Sequence, residues 1–144
     1  MTAFHFPTRY DETQADEGVW TSVVDEMKNV WGRFKLCLFD ETTPRHRVTL
    51  ERLQRKYPAK KGKPNEALAA KSQDEWAVEL FVEMSVVDWE MKDAKGKTIP
   101  FTPEAAIEYL SDPRALFVLK EIGAFARDVR NFQPDEQTDP PEGN

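Results

Sequence analysis

One thiol, two imidazoles and a short run of carboxylates are the groups in this 144-residue sequence whose types could do covalent or acid-base chemistry. Cys37 would be a nucleophile only with a base beside it, and the sequence supplies His5 and His46 as its imidazoles. One thiol with two distant histidines is short of a structural zinc site, and a single cysteine closes no intramolecular disulfide. Cys37 therefore reads as a small buried or half-buried apolar residue. Asp88, Glu90 and Asp93 are close enough in sequence for paired acid-base work. They sit among lysines at an expected helix end and turn, where solvated carboxylates are ordinary. The "DAKGK" run that follows lacks the alternating oxygen ligands and distal glutamate of a calcium loop. It also lacks the two spaced glycines before Lys-Ser/Thr of a phosphate loop. The expectation is a protein without catalytic, cofactor-binding or metal-binding residues.

Charge is distributed unevenly. The net charge is −6, yet between residues 44 and 63 eight cations (Arg45, Arg47, Arg52, Arg55, Lys56, Lys60, Lys61, Lys63) face Glu51 alone, so this block carries +7 and the rest −13. A basic block can hold phosphate, but an acidic remainder repels the same polyanion, so nucleic acid is not the expected partner. No run of 18 or more apolar residues occurs, so no segment is expected to span a bilayer. The first residues lack the basic start, apolar stretch and cleavage site of a secretory signal, and a cytoplasmic location is expected.

The elements that would position these groups form an α+β fold, mainly α, with one core over residues 18–133. Residues 1–17 read as a flexible arm, and 134–144, "PDEQTDPPEGN", as a disordered acidic tail. Residues 18–40 read as a β-hairpin: Phe34, Leu36 and Leu38 alternate with Arg33, Lys35 and Cys37 in a strand at about 31–39. Its partner lies at about 18–25, with the turn around "EMKN". Thr43-Pro44 opens a surface helix over 44–57 with Val48, Leu53 and Tyr57 toward the core, and "PAKKGKPN" at 58–65 is a linker.

The strongest helical pattern is 65–90, where Trp76, Leu80, Met84 and Val87 recur at helical spacing and Val78, Phe81 and Val82 widen the apolar face. Glu75, Glu79 and Glu83 form a row of like charges that costs an isolated helix about 0.2–0.5 kcal/mol per pair. The basic helix, with Arg45, Arg52, Arg55 and Lys56, is the intramolecular candidate to face that row; a partner protein is the other. After Trp89 a turn at Gly96 reverses the chain, and Ile99, Pro100 and Phe101 return to the core. Thr102-Pro103 opens a helix over 103–110, and Asp112-Pro113 opens a closing amphipathic helix over 113–131.

The succession "VWGRFKLCLFD", basic helix, apolar-acidic helix ending "VVDWE", then "KGKTIPFTPEAAIEYLSDP" and a closing helix resembles the tail assembly chaperones of long-tailed, siphovirus-type bacteriophages. The likeness is best over residues 84–118 and rests on Trp89, Gly96, Pro100, Phe101, Thr102, Pro103, Asp112 and Pro113. It implies a non-enzymatic protein that binds the tape measure protein, keeps it soluble and helps recruit tail tube subunits in the host cytoplasm. It further implies absence from the mature virion and, in many members, a longer frameshifted form. On that reading Trp76, Leu80, Phe81, Met84, Phe117 and Phe125 are candidates to contact the client, in a groove between helices 65–90 and 113–131. Core packing competes with that role for each of them. Weak self-association through the hairpin edge is expected. A phage-encoded inhibitor of a host protein, or a nucleic-acid adaptor using the 44–63 block, is the alternative.

Overall fold

The computed structural model describes residues 3–56 and 66–133, with side chains in the long third helix described from Trp76 onward. In chain order it contains α1 (Glu12–Glu17), β1 (Val19–Val24), β2 (Val30–Leu36), α2 (Pro44–Lys56) and α3 (Glu66–Ser85). There follow β3 (Val86–Lys92), β4 (Thr98–Ile99), α4 (Pro103–Ser111) and α5 (Leu116–Arg127), with 3-10 turns at Pro113–Ala115 and Val129–Phe132. The strands form one antiparallel sheet in the order β1-β2-β3-β4. The fold is therefore α+β with the expected hairpin, but the sheet has twice the expected strands. The stretches 57–65 and 134–144, which hold Tyr57, the linker and the acidic tail, lie outside the described residues.

The β1–β2 hairpin forms because Asp25 organises its turn. The Asp25 carboxylate accepts from the amides of Met27 and Asn29, from Asn29 Nδ2 and from Trp31 Nε1 at 2.9–3.0 Å. These donors hold its pKa below the ordinary carboxylate value, the Trp31 indole first among them. Phe34 and Leu36 point inward and are fully buried, while Arg33 and Lys35 point toward solvent. The partners run from Val19↔Leu36 to Val23↔Gly32 and then shift to Val24↔Val30. Trp31 is the extra residue, a bulge carried by β2 that leaves β1 regular.

The strand stops at Leu36, short of the expected residue 39. Cys37, Leu38 and Phe39 are all buried, so the period-two pattern breaks. Their successive amides donate to three different places: Cys37 to the Ser85 carbonyl, Leu38 to Ala15 and Phe39 to Ala126, at 2.7–3.1 Å. Cys37 Sγ lies 3.1 Å from the Asp16 carbonyl, and burial pushes its thiol pKa up.

The expected helix over 65–90 is corrected. It ends at Ser85, and Val86–Lys92 continue as β3 beside β2. Paired β-branched residues at 86 and 87 and Trp89 suit a pleated surface better than a helical one. Val87 is the extra residue of a second bulge, between Lys35↔Asp88 and Leu36↔Val86, and it is turned out to 42% exposure. Gly18, at φ +99°, lets the chain pass so close to Val87 that a Cβ would lie 3.0 Å from its Cγ2. Asp93 closes the β3–β4 turn as Asp25 closes the first, accepting from the amides of Lys95 and Lys97, with Gly96 at φ +82°.

The expected flexible arm over 1–17 is corrected in its second half. Asp11 caps α1 by accepting from the Gln14 amide, its own amide reaches the Phe132 carbonyl at 2.7 Å, and Ala15 is buried against Leu38 and Phe132. The closing helix over 113–131 is three pieces: a 3-10 turn, α5 and a second 3-10 turn. Asp112 and Asp128 start the two turns by capping Arg114 and Arg130 and holding their guanidinium groups. Among the described residues, no helix is long and apolar enough to cross a membrane.

Candidate protein-binding surfaces

The acid row and the basic helix meet. Arg52 forms an ion pair with Glu83, Lys56 Nζ lies 2.8 Å from Glu79 Oε2, and Arg45 donates to the Glu83 carbonyl at 3.1 Å. Glu79 itself is buried. These charges join α2 to α3, with Leu53 as the buried apolar contact of α2, while Val48 stays exposed and Leu50 is partly buried. Arg47 and Arg55 are exposed. The side chain of Glu75 lies outside the described residues.

The six candidate client contacts do not line one groove. Leu80, Phe81 and Met84 are buried in the main core. Trp76, Phe117 and Phe125 are half-buried and packed against it, Phe117 on Trp31 at 5.6 Å and Phe125 on Phe132 at 6.0 Å. A repeat at helical spacing marks the buried face of a helix, and here most of that face packs into the main core. A groove does open between α3 and α5, with a volume of about 310 Å³. It is lined by small residues, Ala77, Gly123 and Ala124, and by the apolar Val78 and Leu119, and Phe81 is the single one of the six that reaches it. Lys120 and Arg127 also line it. Arg127 lies over Phe39 at 4.4 Å and donates to the Gly123 carbonyl, so its charge is held in place beside the groove.

The residues of the Trp89 to Pro113 motif have a different job. Trp89 is buried, its indole N–H donates to the Ile99 carbonyl at 2.9 Å, and its ring meets Phe34, Phe101 and Tyr109 edge-on. Thr102 caps α4 by accepting from the Ala105 amide, with Pro103 in the first turn, while Pro100 is exposed. A largely apolar cleft of about 490 Å³ opens between the β3–β4 hairpin and α4, lined by Trp31, Met91, Ile99 and Tyr109 beside Trp89. Burial pushes the Tyr109 pKa up and keeps its hydroxyl neutral. Trp31 and Tyr109 are the surface aromatics that periodicity missed. Trp31 falls on a bulge, and Tyr109 lies on a short helix whose neighbour, β3, is itself not evident in the sequence.

The carboxylates considered for acid-base work have other partners. Glu90 pairs with Arg33 at 2.9 Å, Asp88 accepts from the Trp89 amide, and Asp93 holds its turn. Among the described residues no group of three or more His, Cys, Asp or Glu side chains could hold a metal ion.

No curated protein and no solved structure matches the chain. A family model described as the YdaY prophage protein matches residues 41–142, more than two thirds of the chain, from the start of α2 through α5 and beyond. Both the α3–α5 groove and most of the Trp89 cleft fall within the match, whereas the β1–β2 hairpin precedes it. The chain is a phage-derived protein and belongs to the YdaY prophage protein family.

Proposed function

We propose that this phage protein is a non-enzymatic tail assembly chaperone that seats an amphipathic helix of the tape measure protein between α3 and α5 and helps recruit tail tube subunits. The observation that carries this reading is the groove itself: its small and apolar lining residues admit a helix at close approach. The cations among its lining residues, Lys120 and Arg127, suit the acidic flank of such a helix. The phage origin of the family and the likeness over residues 84–118 favour a client met during virion assembly.

The test is co-expression with a tape measure protein, scoring client solubility and co-purification for the wild type and Ala124→Arg. Ala124 is exposed, so arginine there fills the groove without entering the core. Loss of the soluble complex in this variant supports the reading. A client that stays insoluble with the wild type sinks the chaperone role, and a client solubilised equally by both proteins sinks the groove.

A nucleic-acid adaptor or host-protein inhibitor is favoured by one observation, the exposure of Arg47 and Arg55 on α2. Arg55→Glu distinguishes it better than a change at Arg52, which also breaks the pair to Glu83. An adaptor loses salt-sensitive binding in that variant, and a groove-based chaperone keeps its client.

A further inference from the structure

The two edges of the sheet are built differently. β4 has two residues, is preceded by Lys95 and Lys97 and is followed at once by Pro100, three devices that discourage another strand from adding there. β1 has six residues, Val19–Val24, with neither a charge nor a proline among them. Its bulge partner Trp31 lies in β2, so β1 itself is unkinked. Among the described residues its backbone pairs with β2 alone, which leaves its other side open.

The solvent-facing side of the sheet sharpens the contrast. β2 presents Arg33 and Lys35 there, and β3 presents Asp88 and Glu90, paired across the strands as Arg33↔Glu90 and Lys35↔Asp88. The corresponding residues of β1 are Trp20, Ser22 and Val24. Val24 is 44% exposed, and the Arg33 guanidinium lies 4.8 Å from the centre of the Trp20 ring. An edge of this kind has no charge pattern with which to choose a foreign partner, but it is complementary to itself.

We infer that β1 is the dimerisation edge of this protein, pairing antiparallel with β1 of a second copy about a two-fold axis at Ser22. A two-fold axis normal to the sheet keeps solvent-facing residues opposite solvent-facing residues. With Ser22 facing its own copy, Trp20 meets Val24 of the second chain twice, and Thr21 meets Val23 twice. Aromatic-to-β-branched pairs are among the favourable cross-strand contacts, and this register covers the exposed Val24. Shifting the axis to Thr21 would instead set Trp20 against Ser22 and leave Val24 opposite Gly18. The result is one eight-stranded sheet with the same surface used by both copies.

Sedimentation equilibrium of the full chain from low to high micromolar concentration tests this, with Ser22→Lys as the probe. Ser22 is exposed, and the substitution sets two ammonium groups face to face on the axis. The wild type is expected to dimerise, and Ser22→Lys to raise the dissociation constant by at least about tenfold with an unchanged circular dichroism spectrum; its melting temperature falls slightly, because the dimer's contribution is lost and Ser22 stands opposite Arg33 in β2. An equimolar mixture with Ser22→Glu is expected to recover the dimer as a mixed pair. A wild type that stays monomeric throughout overturns the inference, as does a Ser22→Lys protein that dimerises as tightly as the wild type. A mixture that fails to pair although each variant is folded overturns the Ser22 register. Client solubilisation by a monomeric variant would separate this inference from the chaperone reading.

Discussion

The two flanks of α3 are used in opposite ways. Toward α2 it offers Glu79 and Glu83, and both are met by cations of the same chain. Toward α5 it offers Ala77, Val78 and Phe81, and the space beyond them is open. Charges are the more conspicuous feature of the sequence, yet they are the part of the helix already occupied. The surface left for a partner is marked by small side chains, which leave room because they fill so little of it.

The largest effect expected from breaking this comparison is at Phe81, which belongs to the core and also lines the groove. Phe81→Ala should cost about 3–5 kcal/mol in urea unfolding, because the cavity it leaves is walled by the main core. A cost below about 1 kcal/mol would mean that the α5 flank contributes little to the core. Next comes Ser85, at the end of the helix, whose buried hydroxyl has no hydrogen-bond partner. Ser85→Ala should raise stability by about 1 kcal/mol, since the desolvated hydroxyl is removed; a loss on thermal unfolding would contradict this.

On the charged flank, Arg52→Ala should cost less than about 1 kcal/mol, because the side chains of Arg52 and Glu83 are 49% and 27% exposed. The difference from wild type should shrink as salt is added. Ala124→Arg should be smaller still, within about 0.5 kcal/mol by thermal unfolding, although it closes the groove. A variant that leaves the melt unchanged while abolishing client binding is the cleanest separation of the two flanks.

The smallest effect belongs to the two caps away from α3. Arg114 and Arg130 hold the pKa values of Asp112 and Asp128 down to about 2, from an ordinary 3.8. Because folding lowers these values, the contribution is fully present above the ordinary value and is lost as pH falls through about 2. Both sites are exposed, so Asp112→Asn should lower stability only slightly near neutrality, and the difference from wild type should vanish as pH falls through about 2.

Local signals in the sequence carried the elements that have their own caps. Thr43-Pro44, Thr102-Pro103 and Asp112-Pro113 each start a helix or 3-10 turn in the structure, and Gly96 takes the positive φ of its turn. What was not legible depended on distant partners. Val86 to Trp89 fit helical spacing as well as strand spacing, and the choice is made by β2, about fifty residues earlier in the chain. The six residues of α1 are too few to hold a helix alone, and their stability comes from Leu38 and Phe132. For the site, charge alone offered the basic helix as one of two partners for the acid row, and Arg52 and Lys56 meet it in the structure. The anchors did not, since Leu80 and Met84 share the spacing of a groove residue and are enclosed by the core.

Residues 37–39 give the molecule a common point of release. Because their three amides end on Ser85, Ala15 and Ala126, the end of α3, the short α1 and the end of α5 cannot open independently without stranding one of them. Native-state hydrogen exchange should find these amides in a single cooperative unit, with similar opening free energies near that of global unfolding. A client seated against α3 and α5 would then slow exchange at Leu38, whose acceptor belongs to neither helix, so that binding at the groove is reported at the opposite end of the chain.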